Sequence, residues 1–157
     1  MNASRQKGLA AVETAIVGVV AMIVLFAVFE VARVFFVMNA LEEATRRGAR
    51  VAAVCQINDP AIRQITIFND SGTAGASPLV FNLTTANVDL DYLDDTGGVV
   101  GDPTGNFIDI GFVRVAITNY QHQLIIPLFI RTINMPDFTT VLPRESLGVT
   151  REGLTTC

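Results

Sequence analysis

After a short polar start carrying Arg5 and Lys7, the chain turns apolar. From Leu9 to Phe29 it runs 21 residues in which Glu13 is the only charge. Wound as a helix, such a run is about 30 Å long, the thickness of bilayer hydrocarbon, and it predicts one membrane span. Past Phe29 the pattern becomes amphipathic: Val34, Val37, Met38, Leu41, Ala44, Gly48, Ala52 and Cys55 recur at helical intervals, with no proline before Pro60. One unbroken helix from Leu9 to Cys55 is expected, about 70 Å long, half in lipid and half outside. Its other face carries Asn39, Glu42, Glu43, Arg46, Arg47 and Arg50, in which Glu42 with Arg46 and Glu43 with Arg47 are favourable i,i+4 pairs of a solvated surface. Ala44, Gly48 and Ala52 leave a shallow groove, whose simplest occupant is a sheet of the same chain and whose alternative is a neighbouring helix.

The distal half has a different rhythm. Asp59 and Pro60 have the character of an N-cap and first helical position, and Ile62, Ile65 and Phe68 suit a short second helix ended by Asn69-Asp-Ser-Gly72. Three strands are predicted, over Ala86–Asp94, Phe107–Tyr120 and Phe138–Gly148. In the first, Val88, Leu90 and Tyr92 alternate with Asn87, Asp89 and Asp91; in the second, Val113, Val115 and Ile117 alternate with Arg114, Ala116 and Thr118. The turn-rich connection through Thr96-Gly-Gly98 and Gly101-Asp-Pro-Thr-Gly105 makes these two an antiparallel hairpin. Pro143 confines the third strand to a sheet edge. The expected fold class is α+β: a long N-terminal helix packed by a small antiparallel sheet.

Composition narrows the function. With 157 residues, 50% hydrophobic and 17% charged, and a mean hydropathy of +0.45, the chain has room for one anchored domain and not for a multi-domain enzyme. Residues 51–157 hold five basic against eleven acidic groups, which leaves nothing to neutralise a run of phosphates and excludes nucleic acid as a partner. Lysine occurs once, at Lys7, and histidine once, at His122, so no catalytic residues, no cofactor and no metal ligands are assigned, and His122 is expected at the surface. Asp89, Asp91, Asp94, Asp95, Asp102 and Asp109 lack EF-hand spacing and read as a solvated acidic edge. Cys55 and Cys157 form no C-x-x-C or zinc pattern. They are either two buried thiols or a disulfide closing a loop of about 100 residues, which would place the domain in an oxidising space.

Glu13 is the anomaly, because a carboxylate in mid-membrane costs roughly 2.5–3.5 kcal/mol on insertion scales. Either it lies near the entry interface, where the cost is smaller, or it awaits a positive partner inside an assembly. Gly8-Leu-Ala-Ala-Val-Glu13, preceded by Arg5 and Lys7 and followed by the apolar helix, resembles the prepilin processing motif. Together with Phe29-Glu-Val-Ala-Arg33, Asn39-Ala-Leu41 and Ala44-Thr-Arg-Arg-Gly-Ala-Arg50, the first third of the chain resembles the TadE-like pilin segment of tight-adherence pili. Two positions depart from the family: Thr14 stands where an aromatic commonly follows the glutamate, and Gly18-Val19 where the span commonly holds a proline.

The resemblance implies a minor pilin or pseudopilin divided into a leader (1–8), a transmembrane half-helix (9–29), an amphipathic half-helix (30–55) and a small extracytoplasmic domain (56–157). A prepilin peptidase would cut between Gly8 and Leu9, and Glu13, one turn from the new amine, would pair with a neighbour's N-terminus and fix axial register. Implied partners are other pilin subunits, the peptidase, the inner-membrane platform with its assembly ATPase, and the lipid bilayer. The precursor would sit in the bacterial inner membrane with its leader in the cytoplasm, and the mature chain in a pilus or at the cell surface. The much shorter major pilins of these systems favour a minor or priming role. Arg33, Arg46, Arg47 and Arg50 point the opposite way on positive-inside counting, so this orientation rests on the motif. The alternative is an uncleaved signal anchor holding a periplasmic domain that binds an envelope partner. A cleaved secretory signal fits less well, because the apolar run is longer than an h-region and has no A-x-A-like end.

Overall fold

The computed structural model describes residues 3–73, 75–125, 131–151, 153–155 and 157; Met1 and Asn2 of the expected leader lie outside them. Helix α1, Ala3–Val54, is a single 52-residue helix. It contains no proline and its glycines are far apart, so nothing interrupts the i→i−4 ladder. Among the described residues it is the one helix long and apolar enough to cross a membrane. From Gly8 to Phe29 every residue is exposed, whereas from Glu30 onward one face is buried. The change of sequence pattern at Phe29 is thus the boundary at which the domain begins to cover the helix.

Helix α2, Pro60–Thr66, starts as the sequence predicts: the Asp59 side chain accepts a hydrogen bond from the Ala61 amide at 2.9 Å, and Pro60 occupies the first turn. It ends before Phe68, whose φ of 65° already lies in the left-handed region. Strands β1, Val88–Leu93, and β2, Phe112–Ile117, pair antiparallel in the register Val88↔Ile117 to Leu93↔Phe112. Two short hairpin strands follow, β3, Gln121–Gln123, and β4, Thr132–Asn134, and then β5, Phe138–Pro143, which pairs with β2. The sheet order β1-β2-β5 leaves β5, with its terminal Pro143, on an edge as expected. The second predicted strand is shorter than its pattern suggested, because Phe107–Asp109 forms a 3₁₀ turn ahead of it. The final hairpin, β6 (Val149–Thr150) with β7 (Gly153–Leu154), and the β3–β4 pair were not anticipated.

Alternation then decides what the sheet covers. Val88 and Tyr92 of β1 and Val113, Val115 and Ile117 of β2 are buried with Val37, Leu41, Ala44 and Ala52 of α1, joined by Ile62, Ile67, Val80, Leu83 and Leu147. A polar bond crosses this layer, between the hydroxyls of Thr45 and Thr140 at 2.9 Å. The small-residue groove is filled from within the chain, but at Gly48 by α2 and not by the sheet: a Cβ there would collide with the Thr66 hydroxyl. That hydroxyl donates to Ile62 O at 2.7 Å and is itself fully buried. No room remains at this point for a neighbouring helix.

A distant segment caps the outer end of α1. The amides of Glu145 and Leu147 donate to Ala53 O, and the Gly148 amide and Ser146 hydroxyl donate to Val54 O, satisfying carbonyls that a helix end leaves open. Gly148 has φ +80° and lies so close to the Gln56 backbone that a side chain would not fit. Beside this cap, Cys55 and Cys157 are joined by a disulfide with Cα atoms 5.7 Å apart and a sequence separation of 102. Of the two readings of the cysteines, the bonded one is correct.

Candidate assembly site

The residues assigned to processing and register all lie on the uncovered part of α1. Leu9 is 73% exposed, nothing approaches within 4 Å of a Cβ built on Gly8, and Glu13 is exposed one turn further on. Among the described residues, no contact requires a glycine at 8 or a carboxylate at 13. The Thr14 hydroxyl bonds back to Ala10 O at 2.8 Å, so it needs no outside partner in an apolar setting. The arrangement can offer one acidic group on an apolar rod to something outside the chain.

Where the rod meets the domain, the structure assembles a polar cluster that the sequence did not reveal. Glu30 is 7% exposed, and Arg33 Nη1 donates to both its carboxylate oxygens at 3.0 and 2.9 Å. His122, expected at the surface, is instead 3% exposed on β3, its Nε2 lying 3.6 Å from Glu30 Oε1 with no hydrogen-bond partner among the described residues. A lone histidine in a polar Tyr-Gln-His-Gln context carries no signal of burial; it lies on β3 opposite Ile133. Next to it the Tyr120 hydroxyl donates to Phe81 O at 2.8 Å, and burial pushes its pKa up while the Arg33 charge pulls part of the shift back. The carboxylate nearest the end of the apolar run is thereby shielded by a guanidinium and an imidazole ring. The early marker was spacing, since Glu30 and Arg33 stand at i,i+3 directly after the span.

The remaining candidates divide. Glu42 pairs with Arg46 on the solvated face as expected, but Glu43 and Arg47 do not pair; the Arg47 guanidinium lies 5.9 Å from the centre of the Phe68 ring. The aspartates serve the fold locally. Asp91 pairs with Arg114 across the hairpin at 2.8 Å, and Asp89 accepts from the Thr118 hydroxyl at 2.7 Å. The Asp94 carboxylate accepts from Thr96 and Gly98, and Asp102 from Gly105 and Thr104, which holds both below the usual carboxylate range.

An apolar helix uncovered over its N-terminal half carries a small disulfide-closed α+β domain on its other half, and by length and composition the uncovered half could cross a membrane. Comparison of families adds that the family described as TadE-like protein matches residues 8–50, the stretch that begins at Gly8 and ends with the amphipathic part of α1. No curated protein and no solved structure matches the chain.

Proposed function

We propose that this protein is a minor pilin or pseudopilin of a tight-adherence pilus, matured by a prepilin peptidase between Gly8 and Leu9 and held in register by Glu13. The reading is carried by one observation: the TadE-like match begins at Gly8 and falls on a helix on which, among the described residues, nothing packs against Gly8 and both Leu9 and Glu13 are exposed. A new amine on Leu9 would lie about 6 Å along the axis from Glu13. In the low dielectric of packed apolar helices, a neighbour's free N-terminus offsets a carboxylate that is otherwise costly.

The partners are then other pilin subunits, the peptidase, and the inner-membrane platform with its ATPase. The leader faces the cytoplasm and the domain the opposite side. The Cys55–Cys157 disulfide supports that orientation independently of the motif, because such a bond persists in oxidising compartments. The role is structural, with no catalysis by this chain.

Intact-mass measurement on the protein from cells with and without the peptidase tests the reading. A species beginning at Leu9, present only with active enzyme, is expected. A full-length chain in both would leave a permanent signal anchor instead. Glu13→Ala should insert and be cut normally yet fail to enter the assembly; normal incorporation of that variant refutes the register role.

A further inference from the structure

On the outer half of α1 the charges are sorted by height. Glu42 and Glu43 occupy one turn, Arg46 and Arg47 the next turn up, and Arg50 the turn above that. All five are exposed, on the side of the helix that the domain leaves open. At about 100° per residue, Glu42, Arg46, Glu43 and Arg47 spread over about 140° of the circumference, so each turn presents a belt of charge instead of a point. Toward the span the same side continues as apolar surface, with Ala32, Phe35 and Phe36 exposed. The fold makes little use of the belts. Arg46 Nη2 meets Glu42 Oε1, and both residues stay about half exposed. Glu43 has no ion pair among the described residues, and Arg47 lies over the Phe68 ring.

Two copies that cross one membrane in the same sense lie parallel. Side by side at equal height they would set carboxylates against carboxylates and guanidinium groups against guanidinium groups, which disfavours that arrangement. Slid by one turn, four residues or about 6 Å, the arginine belt of the lower copy comes level with the carboxylate belt of the upper one. A slide of two turns brings only Arg50 to the carboxylates. Four residues also separate Leu9 from Glu13, as they separate Glu42 from Arg46 and Glu43 from Arg47. One displacement therefore serves both ends of the helix. We propose that α1 carries a second register device outside the membrane, in which Arg46 and Arg47 of one copy meet Glu42 and Glu43 of the copy above it. The occupant is a second copy because one chain holds both halves of the match, at the offset that Glu13 requires. Such a head-to-tail contact leaves one belt open on each end copy, so it repeats along a filament instead of closing. The pair within the chain uses one carboxylate oxygen and one of the five guanidinium N–H groups, so the contact between copies adds to that pair without replacing it. This deepens the pilin reading and rests on the one-turn displacement proposed there.

Two single reversals test it in trans. Arg46→Glu gives the two belts three carboxylates, and Glu42→Arg gives them three arginines. Each full chain is expressed with the peptidase and the other pilus components, and the share recovered in the assembled fraction is measured beside the unsubstituted chain. Alone, each variant should be cut at Gly8 and keep its disulfide, yet be incorporated several-fold less. Together they should recover, because each then offers the belt that the other lacks, while the like charges within each chain remain. Full incorporation of either variant alone overturns the second register. Failure of the two together also overturns it, since only a role within the chain or toward a different subunit is then left. An unsubstituted chain that neither starts at Leu9 nor assembles removes the pilin reading and this one with it; a normal unsubstituted chain beside unrescued variants removes this one alone. Height is read separately. Lys7 is the only lysine and leaves with the leader, so Arg46→Lys supplies the one side-chain amine of the mature chain. In a chain that also carries Glu42→Gln and Glu43→Gln, assembled with the unsubstituted chain, that amine can reach the two carboxylates only on another copy. A carbodiimide link from position 46 to Glu42 or Glu43 is expected; links confined to carboxylates at other heights, or none, refute the one-turn displacement.

Discussion

The Glu30–Arg33 pair and the Glu42–Arg46 pair lie on one helix and differ mainly in burial, which makes them a controlled comparison. Glu30 is buried with Arg33 and His122 around it, whereas Glu42 and Arg46 are both about half exposed. Exposed i,i+4 pairs stabilise by about 0.3–0.5 kcal/mol, while removing one partner of a buried charged hydrogen bond costs about 1–3 kcal/mol. Glu30→Ala should therefore lower unfolding stability in detergent by about 2 kcal/mol and Glu42→Ala by less than about 0.5 kcal/mol, read from denaturant midpoints. Equal effects would mean that the junction cluster adds nothing beyond a surface ion pair. Asp94 makes a separate prediction in acid. Its bonds from the Thr96 hydroxyl and the Gly98 amide lower the folded pKa, so their stabilising effect is fully present above the ordinary carboxylate value of about 3.9 and is lost as pH falls through the lower folded value. The Gly98 amide shift should titrate with a midpoint below that of a free aspartate, and Asp94→Asn should abolish the titration.

The contact of α1 with α2 depends on the absence of one methyl group. Gly48 is a poor helix former, and an exposed Gly→Ala change would stabilise by about 1 kcal/mol. Here the added Cβ would meet the buried Thr66 side chain, so Gly48→Ala should destabilise by about 1–3 kcal/mol. Thr66→Ala in the same chain should recover part of that loss in a double-mutant cycle; strict additivity would show that the two positions do not touch. The small-residue spacing of Ala44, Gly48 and Ala52 was visible in the sequence, but its occupant was not, because a stripe of small residues specifies closeness and not identity. The long helix, the first hairpin and the edge strand were legible, since periodicity and punctuation are local. The buried His122 was not, because a three-residue strand has too little alternation to show an inward face. Likewise Arg47 had an acidic residue at the favoured spacing yet found an aromatic ring supplied by a segment after α2.

At the scale of the whole molecule, the domain is fixed to α1 at both ends of its covered half: by the Glu30 cluster near the span and by the 145–148 cap with the disulfide at the far end. The two fixings act differently. The cluster is a native-state interaction, lost when Glu30 is removed. The disulfide acts chiefly on the unfolded chain, by closing a loop of about 100 residues, and on the chain-entropy estimate that is worth about 4–5 kcal/mol. Non-covalent bonds also hold the end of the chain, since the Cys157 amide donates to Asp59 and the Ser71 hydroxyl to Cys157 O, so the native position of Cys157 does not depend on sulfur alone. Cys55→Ser with Cys157→Ser should accordingly keep the native fold, with an unchanged far-ultraviolet spectrum, and yet unfold at markedly lower denaturant. A loss below about 1 kcal/mol would mean that the unfolded chain is already constrained, most simply by α1 remaining helical in its detergent or lipid. The same pair reports orientation. Alkylation of intact cells, followed by reduction and a second label, should find both sulfurs bonded in the mature protein if the domain faces the oxidising side. Two free thiols in cells, with the bond forming only after lysis, would place it in the cytoplasm and refute the proposed orientation.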